Sequence, residues 1–178
     1  VATNSSHMTA GAAFNVTVLD APPAFTPPAD ITTTAASAAG AAVKYDTPTA
    51  TDFKDTTVTV SCAPASDATF PIGATTVNCS ATNSSGMLTN HSFTVTVADA
   101  PPAFDIPSNI TVQATSAAGA VVTYGVPPVT DFADGPLTAA CTPASGTLFA
   151  VGTTTVNCTA TNSAQMTTSH SFTVTVTP

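Results

Sequence analysis

The stretch CAPASDATFPIGATTVNCSATN (62–83) returns as CTPASGTLFAVGTTTVNCTATN (141–162), 79 residues further along the chain. Each copy opens on a cysteine, passes a Phe-x-x-Gly step and then alternates apolar with polar residues through a second cysteine. In Val77-x-Cys79-x-Ala81 and Val156-x-Cys158-x-Ala160 the period is two, so one set of side chains faces a core and the other faces water. Strands with one covered side belong to stacked antiparallel sheets.

The same offset holds outward from this stretch. Tyr45 matches Tyr124, Phe70 matches Phe149, and aligning 21–99 with 100–178 needs no gap and leaves 46 of 79 positions identical. Met8 and Phe14 align in turn with Met87 and Phe93, so residues 1–20 read as the final strand pair of a preceding unit. Two strands whose apolar face is Phe14, Val16 and Val18 are not stable alone. The remainder of that unit is expected either from a longer continuous array or from a neighbouring copy donating it.

Each full unit carries further alternation, in Val58-x-Val60-x-Cys62 and Phe93-x-Val95-x-Val97 and in Leu137-x-Ala139-x-Cys141 and Phe172-x-Val174-x-Val176. Shorter strands are expected at 30–34, 41–45, 109–113 and 120–124, separated by turns containing Gly and Pro. No segment has a helical period. The fold class is therefore all-β, with tandem sandwiches at 21–99 and 100–178. The junctions LDAPPAF (19–25) and ADAPPAF (98–104) each hold two prolines, which favour a stiff path and an elongated rod.

Composition narrows function. All ten acidic residues are Asp, Lys44 and Lys54 are the only Lys or Arg residues, and the net charge is −8. A surface so poor in cations cannot neutralise phosphates, which excludes nucleic acid and a polybasic membrane patch. No run of strongly apolar residues is long enough to insert in a membrane as a helix. Ser and Thr make up 52 residues, a content that would suit a disordered stalk. The regular alternation of Val, Phe and Thr favours ordered sheet.

A unit of about 79 residues buries a small core and needs reinforcement. Cys62 and Cys79 fall on inward positions of two different expected strands, as do Cys141 and Cys158. Disulfides Cys62–Cys79 and Cys141–Cys158 are the favoured pairing, and two buried free thiols per unit are the alternative. A bridge over a separation of 17 contributes roughly 3 kcal/mol in the loop-entropy picture. Disulfides would place the chain in an oxidising compartment. Four cysteines divided between two units cannot converge on zinc.

The segments PPAF (101–104), SAAGAVVTY (116–124), TDFADG (130–135), 141–162 and SFTVTV (171–176), with their counterparts 79 residues earlier, resemble the hyalin repeat (HYR) family. The Phe-x-x-Gly-x-Thr-x-Val-x-Cys-x-Ala stretch carries most of the likeness. The resemblance implies immunoglobulin-like β-sandwiches in extracellular adhesion or matrix proteins, with no catalytic activity of their own. The family's Asp-x-x-Gly-Asn turn after the second cysteine is here NSSHM, NSSGM and NSAQM, so roles attached to that turn are not carried over.

Seven of the eight asparagines stand in Asn-x-Ser/Thr: Asn4, Asn15, Asn78, Asn83, Asn90, Asn109 and Asn157. Only Asn162 does not. Alternation turns Asn78, Asn157 and Asn15 outward beside inward residues, where a glycan is sterically allowed. N-linked glycans are expected on several of the seven, and the threonines admit O-linked ones. Sugars, or neighbours in an assembly, would then cover a surface with few charges.

Sites for chemistry are sparse. Asp52/Asp55 and Asp131/Asp134 form D-x-x-D pairs that suit a turn better than a catalytic dyad, since Asp bonds nearby backbone amides. His7, His91 and His170 show no metal-ligand spacing, the last two falling just before the final expected strand. Asp20 and Asp99 precede each double proline, and Asp105 adds a carboxylate at the second junction. Calcium takes six to eight oxygens, so these supply too few and calcium is not expected. No catalytic residue and no cofactor is assigned.

The leading expectation is a structural segment of an extracellular repeat glycoprotein in adhesion, matrix or filament formation. Its partners would be other copies of itself or adjacent repeats, with no nucleic acid and no membrane insertion. The alternative is a carbohydrate- or protein-binding accessory module of a larger secreted protein.

Overall fold

The computed structural model describes residues 1–3 and 5–178, the side chain of Ala10 excepted, and every regular element among them is a strand. β1 (Ala2–Thr3) pairs with β2 (Thr9–Ala10). The first repeat holds β3 (Ile31–Thr34), β4 (Ala41–Ala42), β5 (Val60–Ala63), β6 (Thr69–Phe70), β7 (Gly73–Thr82) and β8 (Leu88–Ala98). The second holds β9 (Ile110–Gln113), β10 (Ala120–Val122), β11 (Pro128–Asp131) and β12 (Gly135–Thr138). It continues with β13 (Ala140–Thr142), β14 (Thr147–Phe149), β15 (Gly152–Thr161) and β16 (Thr167–Thr177).

A long hairpin dominates each repeat. β7 and β8 pair antiparallel from Gly73↔Val97 to Thr82↔Leu88, and β15 and β16 do the same from Gly152↔Val176 to Thr161↔Thr167. β5 and β3 flank the first hairpin in the order β3-β8-β7-β5, with β3 parallel to β8. β9-β16-β15-β13 repeats that order. The opposing layer contains the short ladders β4–β6 and β10–β14 and, in the second repeat, β11–β12. The two layers form an immunoglobulin-like sandwich in each repeat.

The alternation in the sequence becomes the burial pattern of the hairpins. Val77, Cys79, Ala81, Phe93, Val95 and Val97 pack with Phe25, Tyr45 and Phe70 in one core. Val156, Cys158, Ala160, Phe172, Val174 and Val176 pack with Phe104, Tyr124 and Phe149 in the other. Tyr45 meets Phe93 edge-on at 5.0 Å and Tyr124 meets Phe172 at 5.1 Å, the favoured aromatic geometry. The tyrosine hydroxyls donate to the carbonyls of Pro64 and Pro143, so neither phenol is buried without a partner.

Both disulfides are present. Cys62–Cys79 and Cys141–Cys158 join residues directly opposite each other on neighbouring strands of one sheet. Each bridge therefore ties the β5 or β13 edge strand to the central hairpin. The SAAG turn before β4 and β10 explains another repeated feature. A Cβ on Gly40 would lie 1.8 Å from the Phe70 carbonyl oxygen, and one on Gly119 would lie 1.9 Å from that of Phe149. Only glycine admits that approach.

Several details depart from the sequence expectations. The four-stranded sheets are mixed and not wholly antiparallel, because β3 and β9 join them parallel to β8 and β16. The final strand begins at Leu88 and Thr167, so His91 and His170 lie within it, opposite Cys79 and Cys158. Cross-strand pairing with β7 and β15 extends the element beyond its apolar run. The expected strand from Leu137 to Cys141 is divided between β12, which pairs with β11, and β13, which pairs with β15. In residues 11–20 no strand forms, and Phe14, Val16 and Val18 are exposed where Phe93, Val95 and Val97 are buried.

Candidate functional site

The clearest polar constellation sits at the head of each repeat, where the junction meets two loops. It grows from the DxxD turn. Asp52 Oδ1 accepts the backbone N–H groups of Lys54 and Asp55 at 2.9 and 3.0 Å. Asp131 Oδ1 accepts those of Ala133 and Asp134, each at 3.0 Å. The turn-forming role expected of both aspartates in each pair is taken by the first, Asp52 and Asp131. The second carboxylate of each pair reaches across to the hairpin tip: Asp55 binds the N–H and hydroxyl of Ser84, and Asp134 binds those of Ser163.

Asn83 and Asn162 occupy the centre. Asn162 Nδ2 donates to Asp99 Oδ2 at 3.0 Å, to Asp131 Oδ2 at 3.1 Å and to the Ala100 carbonyl at 3.2 Å. Asn83 Nδ2 lies 3.4 Å from Asp20 Oδ2, 3.2 Å from Asp52 Oδ2 and 3.0 Å from the Ala21 carbonyl. The amide oxygens accept the backbone N–H groups of Met87 and Met166, closing the hairpin tips. One side chain thus joins junction, DxxD turn and hairpin tip. The carboxamide suits this place because it offers two donors and one acceptor on a planar group.

The electrostatics follow from these bonds. The N–H groups of Asp55 and Lys54 hold the Asp52 carboxyl below the usual carboxylate range, with smaller help from the Asn83 amide and the Lys54 charge against partial burial. Burial pushes the Asp131 carboxyl up, and the N–H of Asp134, the Asn162 amide and the N–H of Ala133 outweigh it, leaving the group below its ordinary value. In the first repeat Ser85 also donates to Asp20 Oδ2 at 2.6 Å, and Lys54 Nζ approaches that oxygen to 4.0 Å. Ala164 and Ala133 stand at those positions in the second repeat.

The residues singled out for calcium separate here. Asp20 and Asp99 are drawn into the clamp, each bonded to the repeat that follows it, while Asp105 lies exposed beside Phe104 and His170 and takes no part in these bonds. Among the described residues no three His, Cys, Asp or Glu side chains converge as metal ligands. The imidazoles of His91 and His170 instead stand edge-on to Phe25 and Phe104 at 4.9 and 5.0 Å.

The sequons distribute unevenly. Asn78 and Asn90 lie exposed on the outer face of the β7–β8 hairpin, opposite Ser92 and Ser80, and Asn157 occupies the same face of the second repeat opposite Ser171. Asn109 is exposed just before β9, and its Oδ1, not its nitrogen, accepts from Thr173 N–H at 2.9 Å. Asn15 is exposed in residues 11–20, and Asn4 falls outside the described residues. Asn83 is different. It is 6% exposed, and the nitrogen that a sugar would occupy is the donor at the centre of the clamp. The expectation of an acceptor at Asn83 conflicts with that geometry.

Sequence reasoning missed the clamp, although it left a trace. Thr-Asn-Ser recurs at 3–5, 82–84 and 161–163, and the asparagine persists at Asn162 where the sequon does not. An asparagine kept without its sequon signals a use for the carboxamide itself.

Among solved structures, the chain is similar to Drosophila N-cadherin EC1-4 at 13% identity and TM-score 0.38, over 88% of this chain and 49% of that one. Protocadherin GammaB4 matches at 13% identity and TM-score 0.37, over 87% of this chain and 32% of the other. Human protocadherin-24 EC1-2 matches at 10% identity and TM-score 0.39, over 89% of this chain and 98% of that one. The chain therefore spans about a third to a half of the first two. No curated protein matches its sequence. The sequence profile of the HYR domain matches residues 20–97 and again 99–176, beginning each time at the aspartate that enters the clamp. The chain belongs to the HYR domain family, with two repeats in tandem.

Proposed function

We propose that this chain is a structural segment of an extracellular glycoprotein, contributing to adhesion, matrix or filament assembly through repeated modest contacts. The observation that carries this reading is the makeup of the two four-stranded sheets. None of their eight strands contains an Asp or a Lys, although the chain has twelve such residues. Their outer faces present Thr, Ser, Ala and Asn, including the sequons at Asn78, Asn90 and Asn157. A surface with so little charge is kept soluble by sugar or is covered by a neighbour.

Family membership supports an extracellular, non-enzymatic role, and the two disulfides fit an oxidising compartment. Along an array, weak contacts made by successive repeats would multiply through effective concentration. The glycans of this reading sit on Asn78, Asn90, Asn109 and Asn157, with Asn15 and Asn4 as further acceptors and Asn83 left bare. Negative-stain microscopy of native material tests the assembly, with regular filaments or bundled rods expected. Uniform single particles at high protein concentration would overturn it.

A further inference from the structure

We infer that the Asn162 carboxamide is the device that locks one repeat to the next, setting the joint without a metal ion. β8 of the first repeat ends at Ala98, and the following two residues are already held by the second repeat. Asp99 gives its Oδ2 and Ala100 its carbonyl to the same Asn162 nitrogen, which a third bond fixes to Asp131. Asp131 is itself immobilised by two backbone N–H groups of its turn, and Asp99 Oδ1 accepts the Ala100 N–H at 2.8 Å. No free residue is left between the end of the last strand of one repeat and the clamp of the next. Pro101 and Pro102 follow at once, and Pro102 is buried. Backbone rotation is thus restrained by hydrogen bonds at 99 and 100 and by ring closure at 101 and 102.

The position of the amide also bears on cations. Two carboxylate oxygens and a carbonyl converge from separate elements, well short of the six to eight oxygens that calcium takes. Here the amide nitrogen fills the point of convergence, its two N–H groups shared among the three oxygens. The joint formed this way needs no calcium to close. Asn83 builds the same clamp on Asp20, Ala21 and Asp52, so the device repeats with the period of the chain.

Residual dipolar couplings on the whole chain test this, because they report whether two repeats share one alignment frame. The wild type is expected to show a single frame, with ordered amides at Asp99 and Ala100, and no change on adding a chelator or millimolar calcium. Asp99→Ala removes the junction's arm while leaving Asn162, Asp131 and the core of the second repeat in place. It is expected to give two independent frames and mobile amides at 99–101, with the spectra within each repeat preserved. Asn162→Ala should do the same if the second repeat remains folded. Independent frames in the wild type, a single frame retained by Asp99→Ala, or loosening of the wild type by chelator would each overturn the inference.

Discussion

The amide nitrogen of Asn162 lies 3.0 Å from Oδ2 of Asp99, a residue 63 positions earlier and the first beyond the preceding repeat's last strand. The bond is charge-assisted, and it shares its donor group with Asp131 and Ala100. Removing the donor would leave a nearly buried carboxylate, Asp131, short of a partner. Asn162→Ala should therefore cost about 1–3 kcal/mol of stability in the second repeat. Urea unfolding followed by the near-ultraviolet tyrosine signal of the wild type and of a Tyr45→Phe background would measure it, and Asn162→Asp should cost at least as much through like-charge repulsion.

The clamp also predicts a pH dependence. Asp52 and Asp131 bind their protons less tightly in the folded chain than a free carboxyl does. A depressed folded value means that the stabilisation is fully present above the unfolded value of about 3.9 and is lost as pH falls through the lower folded values. The contribution of these two carboxylates should be flat from neutrality to mild acid and then fall. Asp131→Asn should flatten the acid limb while lowering stability at neutral pH. Unfolding midpoints collected against pH for both proteins would show it.

The sequons divide by the state of their nitrogen. Asn78→Gln, Asn90→Gln and Asn157→Gln should each remove one glycan's mass with little change in stability, since those side chains lie on an outer face. Asn83→Gln should leave the glycan mass unchanged and lower the stability of the first repeat, because a longer side chain cannot keep three acceptors on one nitrogen. Intact-mass spectrometry of material secreted from a glycosylating host, paired with melting curves, separates these outcomes.

Much of the fold was legible because it is written in alternation and repetition. Val77, Val95 and Val97 announce their burial by period two, and the 79-residue offset announces each partner in the second repeat. The disulfide pairing followed from the same offset. The clamp was hidden because Asn83 carries a sequon, and a local motif says nothing of a contact with Asp20, 63 residues away. The strand reaching back to Leu88 was hidden because its polar half is defined by pairing with β7, not by its own residues.

The disulfides should account for a large part of each small repeat's stability. Cys141→Ser with Cys158→Ser is expected to cost about 2–4 kcal/mol, mainly by releasing the unfolded chain. The first repeat, with its own bridge, should keep its transition. Two resolved calorimetric transitions, of which only one moves, would be the confirming result.

One position in the hairpin tip provides an internal control for backbone strain. Gly86 and Gln165 occupy the same place 79 residues apart, at φ of 78° and 63°, and His7 stands there in the first partial copy at 60°. A left-handed backbone costs a residue with a Cβ roughly 1 kcal/mol, while glycine adopts it freely. Nothing lies within 4 Å of a Cβ built on Gly86, so the difference between the copies is conformational and not steric. Gln165→Gly should therefore stabilise the second repeat, by less than the full strain because glycine also loosens the unfolded chain. Gly86→Gln should destabilise the first repeat by a similar amount. Opposite shifts of comparable size in the two unfolding transitions are the expected result, and equal shifts of the same sign would show that the tip is held by something other than its backbone angle.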